Sequence, residues 1–434
     1  MKNYMKEIEK LKENPRITAL PHELIVEILL RLPVRSLLRF KCVCKKWLST
    51  ISDPQFCKSH YDLAAAPTHR LLNLPEGIAD VVESFDVDAS LNDDSAVVNL
   101  KFPPYTAPFF QTIGSCRGFV LLTKMMHPTG DLILWNPSTA AHREIPATYA
   151  DWNSWYDPST RFRQGIPPYF AHFMFQFLYG FGYDQLKDEY LLVLIRLENR
   201  PEPQVIHCSS NSFMVSVRYG GPVVKSSRPR IEVLSLNTNV PSFYYDDVEY
   251  LDLGYESNCG IFLDKSLHWL VKSKATQLHV VLAFDLVDRS LLEIPLSPDL
   301  AAELAIYKNG YLRVLGGCLS VGYSSGGDGP EVAEIWVMKD YKVQSSWTKS
   351  FVLTFLDLVD GVHFFPMFFT RGGGIFGADE NGTHWKFSDD GKKLENYSSG
   401  QEGALRVCDM YRESILTLPE LALPDDFEEE NEDA

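Results

Sequence analysis

The sequence has no long apolar run and no concentration of cysteine. No stretch reaches the roughly 18 to 20 apolar residues that a membrane-spanning helix requires. Residues 1–16 alternate lysine with glutamate and lack the apolar core of a secretory signal. The eight cysteines are scattered over 434 residues, without a C-x-x-C pair, which argues against a disulfide framework or a zinc site. We therefore expect a protein of the cytoplasm, the nucleus or both, with no membrane partner.

The sequence is also short of positive charge. Its formal net charge is -16, and seven of its last ten residues are acidic. Binding to nucleic acid needs clustered positive charge that displaces counterions, so we expect no nucleic-acid partner. We interpret residues 421–434 as a disordered acidic tail and residues 1–16 as a flexible N-terminus.

The usual catalytic motifs are absent. There is no G-x-x-x-x-G-K-[ST], no H-E-x-x-H and no G-x-G-x-x-G that opens a helix. Residues 322–326 match G-x-S-x-G, but a Gly-Asp-Gly-Pro stretch follows where a nucleophile elbow needs a helix. The histidines show no metal spacing, and His268 is interpreted as structural. We expect a non-catalytic protein that needs no metal and no cofactor.

Residues 19–56 have the pattern of short helices. Apolar residues recur at helical spacing between Pro21 and Pro33, which predicts one amphipathic helix. A second helix is predicted to begin after Ser36, a suitable N-cap, and a third to end before Asp53-Pro54. Three such helices predict a small all-α cluster.

From about residue 68 the pattern changes to short strands. Runs of four to seven apolar residues alternate with Gly, Asn-Pro, Asp and Ser, which is typical of an all-β sandwich, barrel or propeller. One helical turn is possible near residues 298–305.

A loose repeat discriminates among these folds. An apolar strand, a turn with Asn or Asp, and a second strand recur in residues 132–146, 231–243, 280–296, 334–351 and 383–397. Aligning residues 236, 284, 337 and 386 gives spacings of 48, 53 and 49, whereas residues 135 and 236 are 101 apart. This period predicts a kelch-like propeller of about six blades. A propeller must join its first and last blades, so we expect residues 70–74 and 414–420 to pair and close it. An irregular β-sandwich with chance spacing remains the alternative.

The helical segment, ALPHELIVEILLRLPVRSLLRFKCVCKKWLSTISDPQF, combines two Leu-Pro elements with a late tryptophan. It closely resembles an F-box, particularly the plant type. Downstream segments such as LILWNPST, GIFLDKSLHWLV and VLAFDLVDRSLLEIPL are similar to the type-1 F-box-associated domain of large plant families. Long inserts near residues 140–175 and 198–228 depart from that pattern.

The resemblance implies a binding function without chemistry in this chain. An F-box docks on a Skp-family adaptor, and the adaptor binds a cullin that carries the RING subunit and the conjugating enzyme. The chain would then be the substrate-recognition subunit of an SCF-type ubiquitin ligase, holding an unknown client near the thioester. Two alternatives stay open: an F-box scaffold or regulator without a degraded client, and a propeller enzyme.

The apolar side chains of the F-box segment exceed what so small a cluster can bury by itself, so we expect exposed helix surface to bind the adaptor. The candidate adaptor-binding residues are Leu20, Pro21, Leu24, Ile28, Leu29, Leu32, Pro33, Leu37, Leu38, Val43 and Trp47. The alternative interpretation is that some of them pack against the β domain. Residues 17–56 carry a net charge of +3, which either steers an acidic adaptor or is an ordinary solvated face.

These observations predict five segments. Residues 1–16 are the flexible N-terminus, 17–57 the F-box, 58–67 a linker, 68–420 the propeller-like domain and 421–434 the acidic tail. Propellers bind through loops, and exposed aromatic residues are good interface anchors. The candidate client-binding residues are Trp152, Trp155, Tyr156 and Tyr169, and residues 198–230 form a second candidate loop. Core packing or disorder of these loops is the competing interpretation.

Overall fold

The computed structural model describes most of the chain outside the termini and several connecting segments. The described residues are 20–63, 68–74, 81–90, 96–102, 109–125, 132–145, 177–196, 203–209, 212–219, 230–245, 250–253, 258–273, 275–307, 310–325, 331–355, 364–370, 372–379, 383–397 and 407–420. The chain divides into two compact units: residues 1–68 with Ser414–Thr417, and residues 69–413 with 418–434. We call them the helical unit and the β domain.

The helical unit contains four short helices rather than the three that we predicted. They are α1 His22–Leu30, α2 Val34–Phe40, α3 Lys45–Ser52 and α4 Pro54–Leu63. The Asp53-Pro54 pair, which we interpreted as a break, starts α4, because proline is well suited to the first position of a helix. Helix α4 therefore extends through Leu63, into residues that we predicted to be a linker.

The strands of the β domain form antiparallel sheets that follow the chain order. The first sheet contains β1 His69–Leu74, β2 Val81–Asp86, β3 Val97–Lys101 and β27 Val407–Arg412. The second contains β4 Phe109–Cys116, β5 Phe119–Met125, β6 Leu132–Trp135 and β7 His142–Ile145. Two further sheets contain β19 Gly310–Leu315, β20 Cys318–Ser325, β21 Glu331–Met338 and β22 Trp347–Phe355, and β23 Phe364–Phe369, β24 Ile375–Asp379, β25 His384–Phe387 and β26 Lys393–Tyr397.

The remaining strands form a nine-stranded sheet and an isolated hairpin. The nine-stranded sheet contains β8 Phe177–Asp184, β9 Glu189–Arg196, β12 Arg230–Ser235, β13 Pro241–Tyr245, β14 Tyr250–Leu253, β15 Cys259–Leu263, β16 Ser266–Ser273, β17 His279–Asp285 and β18 Ser290–Pro295. The hairpin contains β10 Pro203–Ser209 and β11 Ser212–Tyr219. It lies between β9 and β12 in the sequence, and together with residues 146–176, between β7 and β8, it accounts for the doubled repeat spacing there.

The propeller-like class is confirmed, but the number of separate blades is not. The described residues form four separate four-stranded blades, whereas we predicted about six. The difference arises in the nine-stranded sheet, where two four-stranded antiparallel sets are joined by parallel pairing of β15 with β8. This pairing is short, matching Cys259 with Tyr179 and Gly260 with Gly180. The glycines allow the close approach, because a Cβ on Gly260 would lie 2.5 Å from Cε2 of Trp269.

The recurring sequence unit corresponds to the third and fourth strands of each set. The third strands are β6, β12, β17, β21 and β25. In the turn that follows, an Asp or Asn side chain accepts the hydrogen bond of a backbone N–H group two residues later. Oδ1 of Asp285 accepts from Val287 N at 2.9 Å, and Oδ1 of Asn136 accepts from Ser138 N at 2.9 Å. The fifth turn residue has a positive φ, 60° at Ala140 and 55° at Arg289. Asx-type turns therefore explain the repeated Asn or Asp.

The first and last strands of the β domain pair with each other. β1 pairs antiparallel with β27, from His69 opposite Arg412 to Leu74 opposite Val407. We had expected residues 414–420 to be the closing strand, and that expectation was wrong. Residues 413–420 form no strand, and Ser414–Thr417 belongs to the helical unit. Closure by β27 protects the edge of β1 from pairing with another chain.

Apolar clusters lie between successive sheets. Leu72 and Tyr411 of the first sheet pack with Trp135 of the second, and Leu71 and Phe85 pack with Phe376 of the last separate sheet. Such clusters continue through the nine-stranded sheet. The helical turn near residue 298 is a full helix, α5 Pro298–Tyr307, which joins one of these clusters. No helix in the described ranges has the length and apolar character that crossing a bilayer requires.

Candidate functional site

The two Leu-Pro elements begin the first two helices. Pro21 and Pro33 immediately precede α1 and α2, with φ of -50° and -59°. Both values suit the proline ring, which fixes φ near -65°. The Pro21 carbonyl accepts from Ile25 N at 3.2 Å, and the Pro33 carbonyl accepts from Leu37 N at 3.1 Å. The prolines therefore set the starts of these helices.

Side chains cap the other two helices. Sγ of Cys44 accepts a hydrogen bond from Trp47 N at 3.4 Å at the start of α3. Oδ1 of Asp53 accepts from Phe56 N at 2.9 Å at the start of α4. Each cap satisfies a backbone N–H group that the helix leaves unpaired. Cys44 is thus a capping residue in the C-x-C element.

The interior of the helical unit holds a small apolar core. Its fully buried apolar residues include Leu29, Leu37 and Ile51, with exposed fractions of 1%, 0% and 0%. His60 on α4 places Nε2 2.8 Å from the Leu32 carbonyl, which ties α4 to the end of α1. Burial raises the pKa of the Cys57 thiol, whose Sγ donates to the Ile51 carbonyl. A closed core therefore supports the outer helix surface.

Six large apolar side chains of this unit lie outside that core: Leu63 on α4 and five others within residues 20–48. Leu20, Leu24, Ile28, Val43 and Leu48 are 57%, 49%, 49%, 59% and 46% exposed. Leu24 and Ile28 are four residues apart on α1 and therefore share one helix face. An exposed cluster of this kind marks an interaction site in proteins more often than a scatter of single residues does. We call these five residues the apolar set.

The structure separates the predicted adaptor-binding residues into three classes. Leu20, Pro21, Leu24, Ile28, Pro33 and Val43 are exposed, Leu32, Leu38 and Trp47 are half-buried, and Leu29 and Leu37 are buried. The Trp47 ring lies 5.2 Å from the Phe40 ring, so its inner side is covered by α2. The exposed members overlap the apolar set, while Leu29 and Leu37 pack inside the unit.

Basic side chains surround these helices. Lys45, Lys46 and Arg39 are exposed. Arg31 forms an ion pair with Glu27 at 2.8 Å, with both side chains largely exposed. An exposed pair of this kind contributes little to stability, typically about 0.3–0.5 kcal/mol within a helix. The positive charge is therefore available to a partner more than it is used for folding.

The predicted client-binding aromatics lie outside the described residues. This applies to Trp152, Trp155, Tyr156 and Tyr169, which stand between β7 and β8 in the sequence. Of the second candidate loop, strands β10 and β11 are described, and neither pairs with any other described strand. β8 begins and β9 ends at the same end of their sheet, since Phe177 pairs with Arg196. Both candidate loops are therefore attached at one end of this sheet.

Two residues that sequence motifs singled out have structural positions. His268 is buried, with Nε2 2.7 Å from the Tyr341 hydroxyl and Nδ1 3.3 Å from the Ile261 carbonyl. Burial lowers the pKa of His268 to about 4. Ser324 of the G-x-S-x-G match lies within strand β20, which continues through Ser325. The described part of the chain holds no group of three or more His, Cys, Asp or Glu placed to bind a metal ion.

Sequence reasoning missed two features of the helical unit. The sequence contains a start signal for helix α4, because Asp53 stands at an N-cap position and proline follows it. The contribution of Ser414–Thr417 had no such signal, because it depends on contacts between opposite ends of the chain.

Comparisons with known proteins find relatives of both the helical unit and the β domain. Residues 17–59 match the F-box domain. F-box protein CPR1 of Arabidopsis thaliana is 27% identical over 341 residues, which cover 78% of this chain and 73% of that protein. F-box/kelch-repeat protein At3g23880, also of Arabidopsis thaliana, is 27% identical over 339 residues, covering 76% of this chain and 78% of that protein.

A third relative, F-box protein At3g07870 of Arabidopsis thaliana, is 24% identical over 349 residues, covering 77% of this chain and 72% of that protein. These matches extend well beyond the helices into the β domain. Residues 17–59 thus match the F-box domain, and across most of its length the chain is similar to Arabidopsis F-box and F-box/kelch-repeat proteins.

Proposed function

We propose that this chain is the substrate-recognition subunit of an SCF-type ubiquitin ligase. The F-box and the kelch-repeat relatives support a role as a substrate adaptor in general. In the specific form proposed here, the F-box docks on a Skp-family adaptor and through it on a cullin, and the β domain binds a client protein. The chain supplies binding and position, without chemistry of its own, in the cytoplasm, the nucleus or both.

The observation that carries this proposal is the apolar set on the F-box. Leu24 and Ile28 are each 49% exposed on one face of α1, next to Leu20 at 57%. Leaving several leucines in water is unfavourable by about 25 cal/mol per Å² of apolar surface, and a partner groove relieves this cost. Leu29 and Leu37, which are buried, support the same surface by holding α1 and α2 in place.

The charge of the segment favours an acidic adaptor. Residues 17–56 are positive within a chain whose net charge is -16. Exposed Lys45, Lys46 and Arg39 on the F-box would accelerate encounter with a negative surface, and the acceleration would fall as salt rises. The basic residues thus act on the association rate and the apolar set on the lifetime of the complex.

We place client binding on the β domain, at the sheet end where β8 begins. The segment that contains Trp152, Trp155, Tyr156 and Tyr169 joins β8 at this end, and the β10–β11 hairpin is attached there as well. Inserts attached at one sheet end offer a client adaptable side chains on a rigid scaffold.

Adaptor binding tests the first half of the proposal. Leu24→Asp with Ile28→Asp should weaken the affinity of the full chain for a purified Skp-family adaptor at least about a hundredfold, because two apolar contacts are replaced by charges. Leu63→Asp is the matched control, since Leu63 is 66% exposed on α4 and outside the predicted surface. Unchanged affinity of the double variant would contradict the proposed docking surface.

Client capture tests the second half. Proximity labelling by the full chain in cells, with the proteasome inhibited, should enrich a client along with the adaptor and the cullin. Trp152→Ala with Trp155→Ala should remove the client but keep the adaptor, whereas the control Phe243→Ala, at an exposed position on β13, should keep both. Loss of the adaptor together with the client would contradict the assignment of client binding to these aromatics.

A scaffold or regulator that binds the adaptor without a degraded client is the alternative. It shares the F-box surface and differs in its outcome for bound proteins. If the chain is a ligase receptor, depletion of the chain lengthens the half-life of the captured protein and the cullin co-purifies with it. A captured protein whose half-life does not change on depletion would favour the scaffold.

A further inference from the structure

Helix α5 of the β domain lies at the sheet end where both candidate client loops are attached. β18 ends beside the start of β17, since Pro295 pairs with Val280, and β17 begins beside the end of β16. β16 runs antiparallel to β15, and Cys259 at the start of β15 pairs in parallel with Tyr179 near the start of β8. The end of β18 and the start of β8 therefore share one end of the nine-stranded sheet, and α5 directly follows β18.

The sequence of α5 determines which of its sides is exposed. The Ser297 carbonyl accepts from Ala301 N at 2.9 Å, and proline occupies the first helical position, for which its fixed φ is suited. Leu300 and Leu304 are 0% exposed and join an apolar cluster with residues of β17 and β20. The exposed residues of the helix are Pro298, Asp299, Ala302, Ala305 and Ile306. We call these five residues the α5 face.

Ile306 is the large apolar side chain of the α5 face. It is 68% exposed, and Leu278, in the turn between β16 and β17 at the same sheet end, is 46% exposed. Covering apolar surface of this kind stabilises a complex by about 25 cal/mol per Å². The helix itself is held in place by the buried leucines on its other side. This sheet end therefore offers a partner two apolar side chains on rigid elements.

The charges around Ile306 indicate which kind of segment fits the α5 face. α5 carries Asp299 and Glu303 and no basic residue, and β18 adds the exposed Glu293. Lys272 and His279, at the same end of β16 and β17, are half-buried. Opposite charges across an interface accelerate association and select partners. A segment that combines an apolar side chain with lysine or arginine is therefore favoured over an acidic segment.

Two other occupants of the α5 face are disfavoured. A stable interface between two copies of a chain takes about 20–30 residues from each side, and the α5 face is far smaller. A two-fold contact through this face would also bring the same acidic residues together, which is unfavourable. An anionic membrane surface attracts clustered basic residues, and α5 contains none. A segment of the client protein, by contrast, can use the α5 face together with the loops attached at the same sheet end.

From this placement we propose that the α5 face binds a basic, amphipathic segment of the client protein. Ile306 is the apolar anchor, and Asp299 and Glu303 attract the basic side chains of the segment. The inference rests on the proposed client binding, and it deepens that proposal by naming residues of the β domain that contact the client and the chemistry of the client segment.

Model peptides test the chemistry without any client. The purified full chain should bind a labelled helical peptide with leucine on one face and lysine on the other at least about tenfold more tightly than a leucine–glutamate peptide of the same length. Ile306→Asp should weaken binding of the leucine–lysine peptide at least about tenfold. Leu394→Asp is the matched control: it adds the same charge at a position 59% exposed on β26, and should change the affinity less than about twofold.

A second variant tests the charges. Asp299→Asn with Glu303→Gln should weaken binding of the leucine–lysine peptide at least about threefold at low salt, and less at high salt, because salt screens exposed charges. In cells, the client is the protein that the full chain labels and whose half-life lengthens when the chain is depleted. Ile306→Asp should lower recovery of that protein at least about tenfold relative to the adaptor, whereas Leu394→Asp should leave both unchanged.

Equal binding of the leucine–lysine peptide by the Ile306→Asp and Leu394→Asp variants would overturn the inference. So would a dimer of the full chain that Ile306→Asp dissociates in size-exclusion chromatography, because a second copy would then occupy the α5 face. Faster hydrogen exchange in the loops of the Ile306→Asp variant, with client recovery unchanged, would show that the chain itself covers this face. If the full chain labels no protein whose half-life depends on it, the proposed client binding fails, and the peptide measurements alone decide whether the α5 face has the assigned specificity.

Discussion

Arg70, near the start of the β domain, places its Nε 3.7 Å from Oε1 of Glu413, the residue that follows the last strand. Both side chains are nearly buried, at 2% and 7% exposed. Arg70 also donates from Nε to Ser84 Oγ at 2.8 Å and from Nη2 to the Ala96 carbonyl at 3.0 Å. A single cation thus joins β1, β2 and the end of β27, so that closure of the β domain depends on an electrostatic link as well as on strand pairing.

Replacement of Arg70 tests this link. Arg70→Met keeps the apolar volume but removes the buried guanidinium that faces Glu413 and donates to Ser84 and Ala96, which should lower the free energy of unfolding by about 3–5 kcal/mol. Urea unfolding of the full chain measures the change. Arg31→Met is the control, because Arg31 is 73% exposed in its pair with Glu27 and should contribute at most about 0.5 kcal/mol. Equal effects of the two substitutions would contradict a closing role for Arg70.

Truncation tests which strand closes the domain. A chain ending at Gly403 lacks β27, so the edge of β1 becomes available for pairing with other chains, and we expect aggregation. A chain ending at Pro424 keeps β27 and residues 413–420, and should keep its melting temperature within about 2 °C. Size-exclusion chromatography and thermal unfolding measure both. Monomeric, equally stable products would count against closure by β27.

Features that local interactions determine were predictable from the sequence, whereas features that depend on contacts between distant residues were not. The F-box helices and the third strands of the β domain were predictable, because local signals mark them: Leu-Pro starts, and the Asx turns after Asn136 and Asp285. The number of separate blades was not, because β8 and β15 join through residues 80 positions apart, such as Tyr179 and Cys259. Ile415 and Leu416 have the apolar character of strand residues, yet they are buried without forming a strand.

The candidate site was predictable to a similar degree. The sequence selected Leu24 and Ile28, which are exposed, together with Leu29 and Leu37, which are buried, because helical spacing alone does not distinguish the two pairs. That distinction depends on where α4 packs, and α4 was missed.

The paired glycines where β8 meets β15 give a third prediction. Gly260→Ala places a Cβ 2.5 Å from Cε2 of Trp269, so Trp269 must move and lose the hydrogen bond from its Nε1 to the Tyr179 carbonyl, now 3.1 Å. Overpacking of this kind costs about 1–3 kcal/mol. We expect a lower melting temperature with altered tryptophan fluorescence. Gly372→Ala is the control, because its nearest neighbour would be 3.9 Å away. Identical behaviour of the two variants would contradict the tight packing at Gly260.

A fourth prediction concerns acid stability. Burial lowers the pKa of His268 from 6.5 to about 4, so between these values the unfolded chain binds a proton that the folded chain does not. His268 therefore costs stability as pH falls from 6.5 to 4, by about 3 kcal/mol in full, and the loss ends once both states are protonated. In the His268→Gln variant, the free energy of unfolding should therefore fall less between pH 7 and pH 4 than in the wild-type chain. An unchanged pH dependence in the variant would indicate that His268 is protonated in the folded chain.

The last prediction is that the two proposed binding functions are separable. A fragment beginning near Pro67 keeps every strand from β1 to β27, including their mutual pairing, so the β domain should fold and should still capture the client. It lacks the F-box and so cannot bring the client to the cullin. Expressed in excess, it should shield the client and lengthen its half-life, whereas the full chain at matched expression shortens it. Client half-life and cullin co-precipitation are the measurements. Faster loss of the client with the fragment, in the absence of bound cullin, would show that the β domain acts by a route other than ligase recruitment.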